Sequence, residues 1–313
     1  MVSLKQFYQY CLQHNLPVAF YRLPGTNTIQ VVAQKKQPVL KTITATSKGF
    51  VFAPFVEGKH ERAILIQPDV YTDAAHLPPL NFAAAVKKQA AAKQRKPHAA
   101  SRKEFEALVR KIRRQIRKGS FDKIVAARVA LKKKPESFAP VVYYKKLCAQ
   151  YPNAFATLVY TPQTGLWVGA SPEILLQVKD NSFTTYSLAG TRAYTKNNSA
   201  AWGEKEKQEQ QIVSGYIMQA FKKVSHKKPQ VTGPETVTAG NLQHLRSTFV
   251  FKNLAAGKWK EVVKQLHPTP AVAGLPKQKA IDFILKHEEA PRSYYSGYLG
   301  PVNLNGEINL FVN

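Results

Sequence analysis

Three of the chain's scarce carboxylates fall within six residues. Acidic residues number 19 against 46 lysines and arginines, and Glu204, Glu206 and Glu209 lie in a segment that predicts a helix. Side chains three residues apart share a helix face, so Glu206 and Glu209 could together bind a hard cation such as Mg²⁺, which prefers carboxylate oxygens. An exposed helix, in which these glutamates pair with Lys205 and Lys207, fits the same spacing.

A lysine in an apolar row is the second candidate for chemistry. If residues 121–131 form a strand, Lys123 is the only charged side chain on one of its faces, because alternate residues share a face. The apolar members of that row are Phe121, Val125, Ala127, Val129 and Leu131. A desolvated lysine has a lowered pKa and can act as a general base, whereas a lysine near a strand end can extend its ammonium group to water.

Two rigid segments carry further candidates. In Gly169-Ala-Ser-Pro-Glu173, Pro172 restricts the backbone before Glu173 and an apolar strand follows, which argues against an ordinary surface glutamate. Residues 266–276 contain three prolines, a glycine and a histidine, so this backbone is tightly fixed and is expected to lie against another part of the molecule. Taken alone, the same segment fits a rigid structural loop equally well.

These motifs occur in an order that resembles the chorismate-utilising enzymes. The order is Gly169-Ala-Ser-Pro-Glu173, Leu188-Ala-Gly-Thr191, Glu206-x-x-Glu209, Leu242-x-His-Leu245 and His267-Pro-Thr-Pro-Ala271. The isochorismate synthase branch of this family has an alanine at the position of Ala271. The last motif therefore resembles that branch. The resemblance covers residues 101–313.

The resemblance implies Mg²⁺-dependent conversion of chorismate to isochorismate, with no organic cofactor and no obligate protein partner. It implies that Lys123 is the base that activates the attacking water. It also implies that Glu173 is the general acid for the departing hydroxyl group, and such a carboxyl must be partly desolvated or near negative charge to hold a proton at neutral pH. Glu209 corresponds to the metal-binding glutamate and Glu206 to its more distant neighbour. The implied substrate-binding residues are Gly190, Thr191, His244 and Ala271.

Two positions depart from the family pattern. Gln210 stands where the family usually has a histidine, and Ser187 precedes the Leu-Ala-Gly-Thr turn where alanine or leucine is usual. His244 also fits a hydrogen-bonded core histidine, and Arg292 matches a family arginine interpreted as structural. Other chorismate-utilising synthases (salicylate, anthranilate or aminodeoxychorismate) remain alternatives, as does an inactive, non-catalytic protein with a basic nucleic-acid-binding face.

The elements that position these groups are expected to form an α/β (α+β) fold, for which the resemblance implies a large, mostly antiparallel sheet core wrapped by helices. Residues 1–100 predict a strand-rich N-terminal portion with a basic linker, and residues 101–313 the chorismate-binding core. A capping box of Ser101 and Glu104 begins a helix that Gly119 ends. Strands are predicted at 31–33, 49–52, 62–66, 121–131, 174–178 and 183–188, with two more before 169, helices at 139–150, 204–223, 256–265 and 278–287, and a hairpin at 297–313.

Charge and composition limit the class of protein. The formal net charge is +27, and residues 87–134 hold 18 lysines and arginines against three acids, a density that could bind phosphates. Apolar residues recur at helical spacing from Phe105 to Ile116, which places the basic residues on the outer face of a helix. No aromatic platform for base stacking is interleaved with them, which disfavours nucleic-acid binding. Two cysteines, no signal-peptide core and no apolar run of spanning length predict a cytoplasmic protein without a membrane span.

The final residues, 307–313, alternate like a strand that continues. In the family, this strand leads to an arginine that binds a substrate carboxylate, then to a Gly-Ala-Gly-Ile loop and a helix that carries the second metal glutamate and a further lysine. The sequence therefore predicts a form truncated at the C-terminus that lacks the family's final segment, with a natural short form as the alternative. Weak chorismate binding and little turnover are expected of it.

Overall fold

Two antiparallel sheets form the frame of this computed structural model, which describes residues 1–36, 43–58, 61–82, 98–194, 201–239 and 242–313. The strands of the described residues are β1 (Val18–Arg22), β2 (Gln30–Ala33), β3 (Gly49–Ala53), β4 (Ile64–Ile66), β5 (Val70–Asp73), β6 (Lys123–Ile124), β7 (Phe155–Thr161), β8 (Gly165–Ser171), β9 (Ile174–Lys179), β10 (Ser182–Ala193), β11 (Gln230–Ala239), β12 (Leu242–Phe251), β13 (Gly274–Leu275), β14 (Tyr298–Leu304) and β15 (Glu307–Val312). The α-helices are α1 (Leu4–Gln13), α2 (Arg102–Arg117), α3 (Pro140–Gln150), α4 (Glu204–Lys222), α5 (Trp259–Leu266) and α6 (Lys277–His287).

The strand order confirms the predicted α+β class with its antiparallel sheet core. One sheet has the order β5-β2-β1-β7-β8, the second has the order β11-β12-β10-β9-β15-β14-β3-β4, and β13 pairs with β6 in a separate two-stranded ribbon. Every strand pair in the described ranges is antiparallel. The predicted hairpin at 297–313 is β14 and β15, near the middle of the larger sheet.

Each sheet packs one face on the other sheet and its opposite face on helices. In β1, Ala19 and Tyr21 lie in the core between the sheets, whereas Phe20 packs with α1 and α3, because side chains alternate along a strand. Helices α4 and α5 cover the far face of the eight-stranded sheet, where Phe221 stacks on Phe251. The layers are therefore helices, sheet, sheet and helices. No helix in the described part of the chain has both the length and the apolar character to cross a membrane.

The strands of the N-terminal portion are built into both sheets. β1, β2 and β5 lie beside β7 and β8, while β3 pairs with β14 and β4. Strands from residues 1–100 thus share both sheets with strands from residues 101–313. The predicted basic linker falls mostly at residues 83–97, which lie outside the described residues.

The strand predicted at residues 121–131 is mostly wrong. Only Lys123–Ile124 is a strand, and Leu131 is exposed. The Val125 N–H still donates to the Ala273 carbonyl at 2.9 Å. Side chains take over from there: the Val125 carbonyl accepts from Arg292 Nη2 at 2.7 Å, and the Ala127 N–H donates to Glu288 Oε1 at 2.9 Å. The apolar row that the alternation predicted therefore ends soon after Lys123.

Candidate active site

Glu173 lies where the chain crosses from one sheet to the other. Ser171 ends β8 in the five-stranded sheet, and Ile174 begins β9 in the eight-stranded sheet. Pro172 and Glu173 form the crossing, and the Glu173 carbonyl accepts a hydrogen bond from the Val312 N–H at 2.9 Å. The crossing therefore fixes the Glu173 backbone at the junction of the two sheets.

The proline-rich segment that follows α5 lies against the strand of Lys123, as its rigidity predicted. Its last residues form β13, which pairs with β6 so that Leu275 lies opposite Lys123. A Cβ atom on Gly274 would lie 2.2 Å from the Lys123 carbonyl oxygen, and φ at Gly274 is +151°. Glycine is required at this position because any side chain would separate the two strands.

Two helices hold the start of the same segment. The Tyr216 hydroxyl on α4 donates to the carbonyls of Gln265 and Leu266 at 2.6 and 3.0 Å. The Lys277 ammonium on α6 donates to the carbonyls of Gln265 and His267 at 3.0 and 2.5 Å. Burial, assisted by a neighbouring lysine, lowers the pKa of Lys277 to about 8. These bonds satisfy the carbonyls at the end of α5 and fix the direction in which the segment leaves the helix.

Lys123 reaches from β6 to α4, where it forms an ion pair. Its Nζ lies 2.6 Å from Glu209 Oε1, with the two side chains 14% and 35% exposed. The ammonium group therefore bonds a carboxylate in the partly enclosed space between β6 and α4, called the cleft below, and does not extend to open solvent. A partly enclosed pair of this kind is stronger than a surface pair because solvent screens it less.

Glu173 is the third ionisable group of the cluster. Desolvation raises its pKa to about 7, although the positive charge of Lys123 and the hydroxyl of Thr269 oppose the rise. The Thr269 Oγ1 lies 3.5 Å from Glu173 Oε1, so the proline-rich segment forms one wall around this carboxyl. A carboxyl with a pKa near 7 carries a proton in about half of the molecules at neutral pH, which is the property that a general acid needs.

The Leu-Ala-Gly-Thr turn meets His244 across two paired strands. Thr191 on β10 lies opposite His244 on β12, after a bulge at Gly190. The Thr191 Oγ1 lies 3.0 Å from His244 Nδ1. Desolvation lowers the pKa of His244, against smaller opposing effects of the Gly190 backbone and the Glu209 charge. His244 is therefore a half-buried, hydrogen-bonded histidine that interacts with Glu209, and its contact with substrate stays a prediction.

Glu206 lies over the Gly190 bulge, one helical turn before Glu209. A Cβ on Gly190 would lie 3.1 Å from both the Cβ and the carbonyl oxygen of Glu206. The Glu206 Oε2 lies 2.6 Å from the position that a Cβ on Gly203 would take, so this carboxylate turns back to the start of α4. The two carboxylates thus have different partners: Glu206 turns to the start of α4, and Glu209 bonds Lys123, so their joint role at a metal ion stays a prediction.

Glu209 is the carboxylate of the cleft whose chemistry fits a divalent cation. Mg²⁺ is usually bound by one or two carboxylates, with water and substrate oxygens in the remaining positions. The half-buried Glu209 carboxylate offers such an oxygen ligand, and its partner Lys123 also acts on the desolvated Glu173. A separate group of three ligand atoms within 4.8 Å of one another exists in the described residues, at His98, Glu104 and Glu289, but Glu104 already caps α2 there.

A buried ion pair fixes the two segments that carry Lys123 and Thr269. Arg292 Nη2 lies 2.6 Å from Glu288 Oε1, and both side chains are almost fully buried. The same guanidinium donates to the Val125 carbonyl at 2.7 Å and to the Val272 carbonyl at 2.6 Å. The interpretation of Arg292 as a structural residue is confirmed by these contacts.

Thr269 and Glu288 are the residues of this region that the sequence did not single out. The available signals were the position of Thr269 between two prolines and the four-residue spacing of Glu288 and Arg292, which suits an ion pair. Ala271, predicted to contact substrate, lies two residues after Thr269 and is partly exposed. The structure thus brings Lys123, Glu173, Glu209 and His244 into one electrostatically connected group.

Comparison with known proteins gives matches of three kinds. A family model described as "Chorismate binding enzyme" matches residues 50–313. The salicylate biosynthesis isochorismate synthase of Pseudomonas aeruginosa is 30% identical over 219 residues, which are 67% of this chain and 45% of that protein. The isochorismate synthase MenF of Bacillus subtilis is 30% identical over 207 residues, or 62% of this chain and 43% of that protein.

A solved structure supports the same fold. The menaquinone-specific isochorismate synthase MenF of Escherichia coli superposes with a TM-score of 0.74 at 18% identity, over 95% of this chain and 78% of that chain. The chain spans about half the length of the curated relatives that it matches in sequence. The family match begins at residue 50, upstream of the region to which the sequence motifs are confined.

Proposed function

Because the chain belongs to the family of chorismate binding enzymes, we propose that it acts as an isochorismate synthase. The observation that carries this proposal is the cluster of Lys123, Glu173 and Glu209, in which a carboxyl with a pKa near 7 lies beside a lysine. The isochorismate synthases of Pseudomonas aeruginosa and Bacillus subtilis to which the chain is similar support the choice of reaction. The proposed reaction is an isomerisation in which one water enters and one water leaves.

Lys123 and Glu173 divide the proton transfers in this proposal. Lys123 takes a proton from the water molecule as its oxygen bonds to the ring of chorismate. Glu173 gives a proton to the hydroxyl group whose bond to carbon breaks at the other end of the diene, so the leaving group is water. The Lys123 amine can accept a proton only when neutral, so the proposal requires that Glu209 takes another partner when substrate is bound.

Glu209 is the residue proposed to hold Mg²⁺. When bound, the ion would neutralise the charge of a substrate carboxylate and orient the ring. The absence of a side chain at Gly190 leaves room for Glu206, and we place the Gly190 backbone, Thr191 and His244 along the adjacent wall of the substrate site. Glu206 supports the Gly190 bulge by packing. Ala271 completes the proposed substrate pocket from the proline-rich segment.

The proposal is tested by incubating the protein with chorismate and Mg²⁺ and identifying the product by chromatography. Isochorismate is the expected product. Formation of salicylate and pyruvate, or of anthranilate when ammonia is supplied, would show that the protein catalyses another reaction of the family. No conversion at saturating chorismate and Mg²⁺ would contradict the proposal.

A Lys123→Ala variant tests the assignment of the base. We expect a 10²–10⁴-fold lower kcat, the range typical for loss of a single general base, without unfolding. Lys179→Ala is the matched control, because Lys179 forms an exposed ion pair with Glu307 away from the cleft. Near-full isochorismate formation by Lys123→Ala would show that Lys123 is not the base.

A further inference from the structure

The residue that follows Glu209 lies at the centre of a buried polar network. Gln210 is 3% exposed, and its amide bonds the side chains of three serines. Its Nε2 donates to Ser187 Oγ at 2.8 Å and to Ser247 Oγ at 2.9 Å, and its Oε1 accepts from Ser214 Oγ at 2.7 Å. Ser187 and Ser214 also bond each other at 2.9 Å. All the hydrogen-bonding capacity of the Gln210 amide N–H groups is thus used within the protein interior.

The direction of each bond in this network follows from counting protons. A serine hydroxyl has one proton, and the Ser214 proton is given to Gln210 Oε1. The Ser187–Ser214 bond must therefore be donated by Ser187, which in turn accepts from Gln210 Nε2. Gln210, Ser187 and Ser214 form a closed ring in which every member donates once and accepts once. With the amide in this orientation the ring has one arrangement of protons, and its bonds to three serines hold the Gln210 side chain in place.

The network joins three of the elements that carry the proposed site. Gln210 and Ser214 are on α4, Ser187 is on β10, and Ser247 is on β12. Each strand residue lies three residues from a member of the site: Ser187 precedes Gly190, and Ser247 follows His244. Because Gln210 is adjacent to Glu209, its bonds set the height and rotation of α4 over both strands at the position where Glu209 leaves the helix.

We propose that Gln210 is a positioning residue that sets the place of Glu209 relative to Lys123 and His244 through its bonds to Ser187 and Ser247. The inference rests on the proposed role of Glu209 as the carboxylate that binds the cation. It also explains why Ser187 and Gln210, the two departures from the family pattern, occur in the same chain: each supplies the hydrogen-bond partner that the other needs in the interior.

Packing alone gives a different expectation for the same residues. A buried polar network can be replaced by apolar side chains at little cost in stability if all its members are replaced together, whereas removal of one member leaves unsatisfied groups. If the network only stabilises the fold, an all-apolar variant should keep the Lys123–Glu209 geometry. If the network positions Glu209, that variant should lose the geometry, because apolar side chains make no directional bonds that fix the helix.

The experiment compares Gln210→Met, Ser247→Ala and an all-apolar variant that combines Ser187→Ala, Gln210→Met, Ser214→Ala and Ser247→Ala. Gln177→Met is the control, because it breaks another partly buried polar pair of the same sheet, with Asn309. Crystal structures give the distance between Lys123 Nζ and Glu209 Oε1. Binding of Mn²⁺ alone is followed through the electron paramagnetic resonance signal of the free ion. Ser247→Ala removes one bond only and keeps the test open if Gln210→Met does not fold.

In the Gln210 and all-apolar variants we expect the Lys123–Glu209 pair to separate beyond 4 Å and the dissociation constant for Mn²⁺ to rise about 10-fold or more, the range for residues that orient a metal ligand. Ser247→Ala should raise the ion-pair distance and the Mn²⁺ dissociation constant as well, and Gln177→Met should change neither quantity. An all-apolar variant with an unchanged ion-pair distance and unchanged Mn²⁺ affinity would overturn the proposal. If the parent protein neither binds Mn²⁺ nor converts chorismate, the proposed function fails, and the ion-pair distance alone decides the role of Gln210.

Discussion

Glu173 experiences two opposing influences, and the balance between them determines its protonation. Removal from water favours the neutral acid, while the charge of Lys123 and the Thr269 hydroxyl favour the carboxylate. Desolvation is the larger effect, which places the pKa at about 7. Glu173 lies at the crossing between the two sheets, and Thr269 of the proline-rich segment lies against its carboxyl.

A pH profile tests whether this proton is used. We expect kcat/KM for chorismate to fall as pH rises through about 7, because the ionised Glu173 has no proton to donate. Glu173→Gln should lower kcat by 10²–10⁴-fold at all pH values. A parent profile that stays level from pH 6 to 9 would contradict the role of Glu173 as the acid.

The stability of Glu173→Gln provides a control against misfolding of this variant. The folded-state pKa of Glu173 is raised from 4.5 to about 7, so its contribution to stability is present below pH 4.5 and is lost as pH rises through 7. The full shift corresponds to roughly 3 kcal/mol. Glu173→Gln should therefore be more stable than the parent at pH 8.5 in urea unfolding and differ little at pH 5. Loss of activity with a gain of stability cannot result from misfolding.

Glu209 and Glu206 offer a matched pair for the metal site, because they lie on the same helix with different contacts. Glu209 bonds Lys123 in the cleft, whereas Glu206 turns to the start of α4. We expect Glu209→Gln to raise the Mg²⁺ concentration needed for half-maximal activity about 10-fold or more, equivalent to about 1.4 kcal/mol. Glu206→Gln should change it less than about threefold. Equal Mg²⁺ titrations of Glu209→Gln and the parent would show that Glu209 is not a ligand.

At the scale of elements, the site depends on segments that are too short to be stable alone. β6 and β13 contain two residues each, and the backbone around them is held by side chains. Arg292 and Glu288 supply three of these contacts from beyond the end of α6, to the Val125 and Val272 carbonyls and to the Ala127 N–H, and they also bond each other. The lysine strand and the proline-rich segment are thus aligned by one buried ion pair.

Removal of this pair is expected to destabilise the protein and misplace Lys123. Arg292→Met leaves the Glu288 carboxylate buried without a cation, which typically costs about 3–5 kcal/mol, and it frees the Val125 and Val272 carbonyls. Urea unfolding should show the loss. Adding Glu288→Gln should restore part of the stability, because the unpaired charge is removed, while kcat stays low. Full recovery of kcat in the double variant would show that the guanidinium does not position the site.

The elements with strong apolar patterns could be predicted from the sequence, and those held by particular side chains could not. The helices α3, α4 and α6, the capping box at Ser101 and the hairpin of β14 and β15 agree with prediction within one or two residues. The pair β11 and β12 was missed, because β11 is an exposed edge strand with polar residues and a Gly233-Pro234 step. Its stability comes from pairing with β12 and not from its own burial.

At the candidate site, too, some features could be predicted from the sequence and others could not. The structure connects Lys123, Glu173, Glu209 and His244, four of the residues that the resemblance assigned to the site. The direction of the Glu206 carboxylate could not be read from helix periodicity, because spacing fixes the face of a helix and not the rotamer of a side chain. The bonds between Gln210 and three serines were equally invisible, since those residues come from three separate elements.

At the scale of the whole molecule, charge is the most unusual property. The formal net charge is +27. Helix α2 confirms the predicted arrangement of its basic residues: Ile112 is buried, whereas Arg102 and Arg110 are largely exposed. The excess charge is therefore carried at the surface, where it acts on ions in solution and contributes little to the fold.

This field should act in opposite directions on the two ligands of the proposed reaction. Chorismate is a dianion at neutral pH and is attracted, whereas Mg²⁺ is repelled at long range and held only by carboxylate at short range. Salt shortens the screening length from about 10 Å at 0.1 M to about 3 Å at 1 M. The long-range attraction and repulsion should therefore both weaken, while the contact with Glu209 changes less.

We therefore expect the KM for chorismate to rise and the Mg²⁺ requirement to fall as salt increases, with the change in kcat/KM for chorismate about 10-fold between 0.05 and 0.5 M. Both quantities are measured by steady-state kinetics, in which the concentration of one ligand is varied while the other is kept at a saturating level. A variant with Arg113→Gln, Arg114→Gln and Arg117→Gln, which neutralises exposed charge on α2, should show a smaller change in both directions. Parallel loss of affinity for both ligands would indicate general inhibition by salt and contradict steering, because only a long-range positive field gives responses of opposite sign to an anion and a cation.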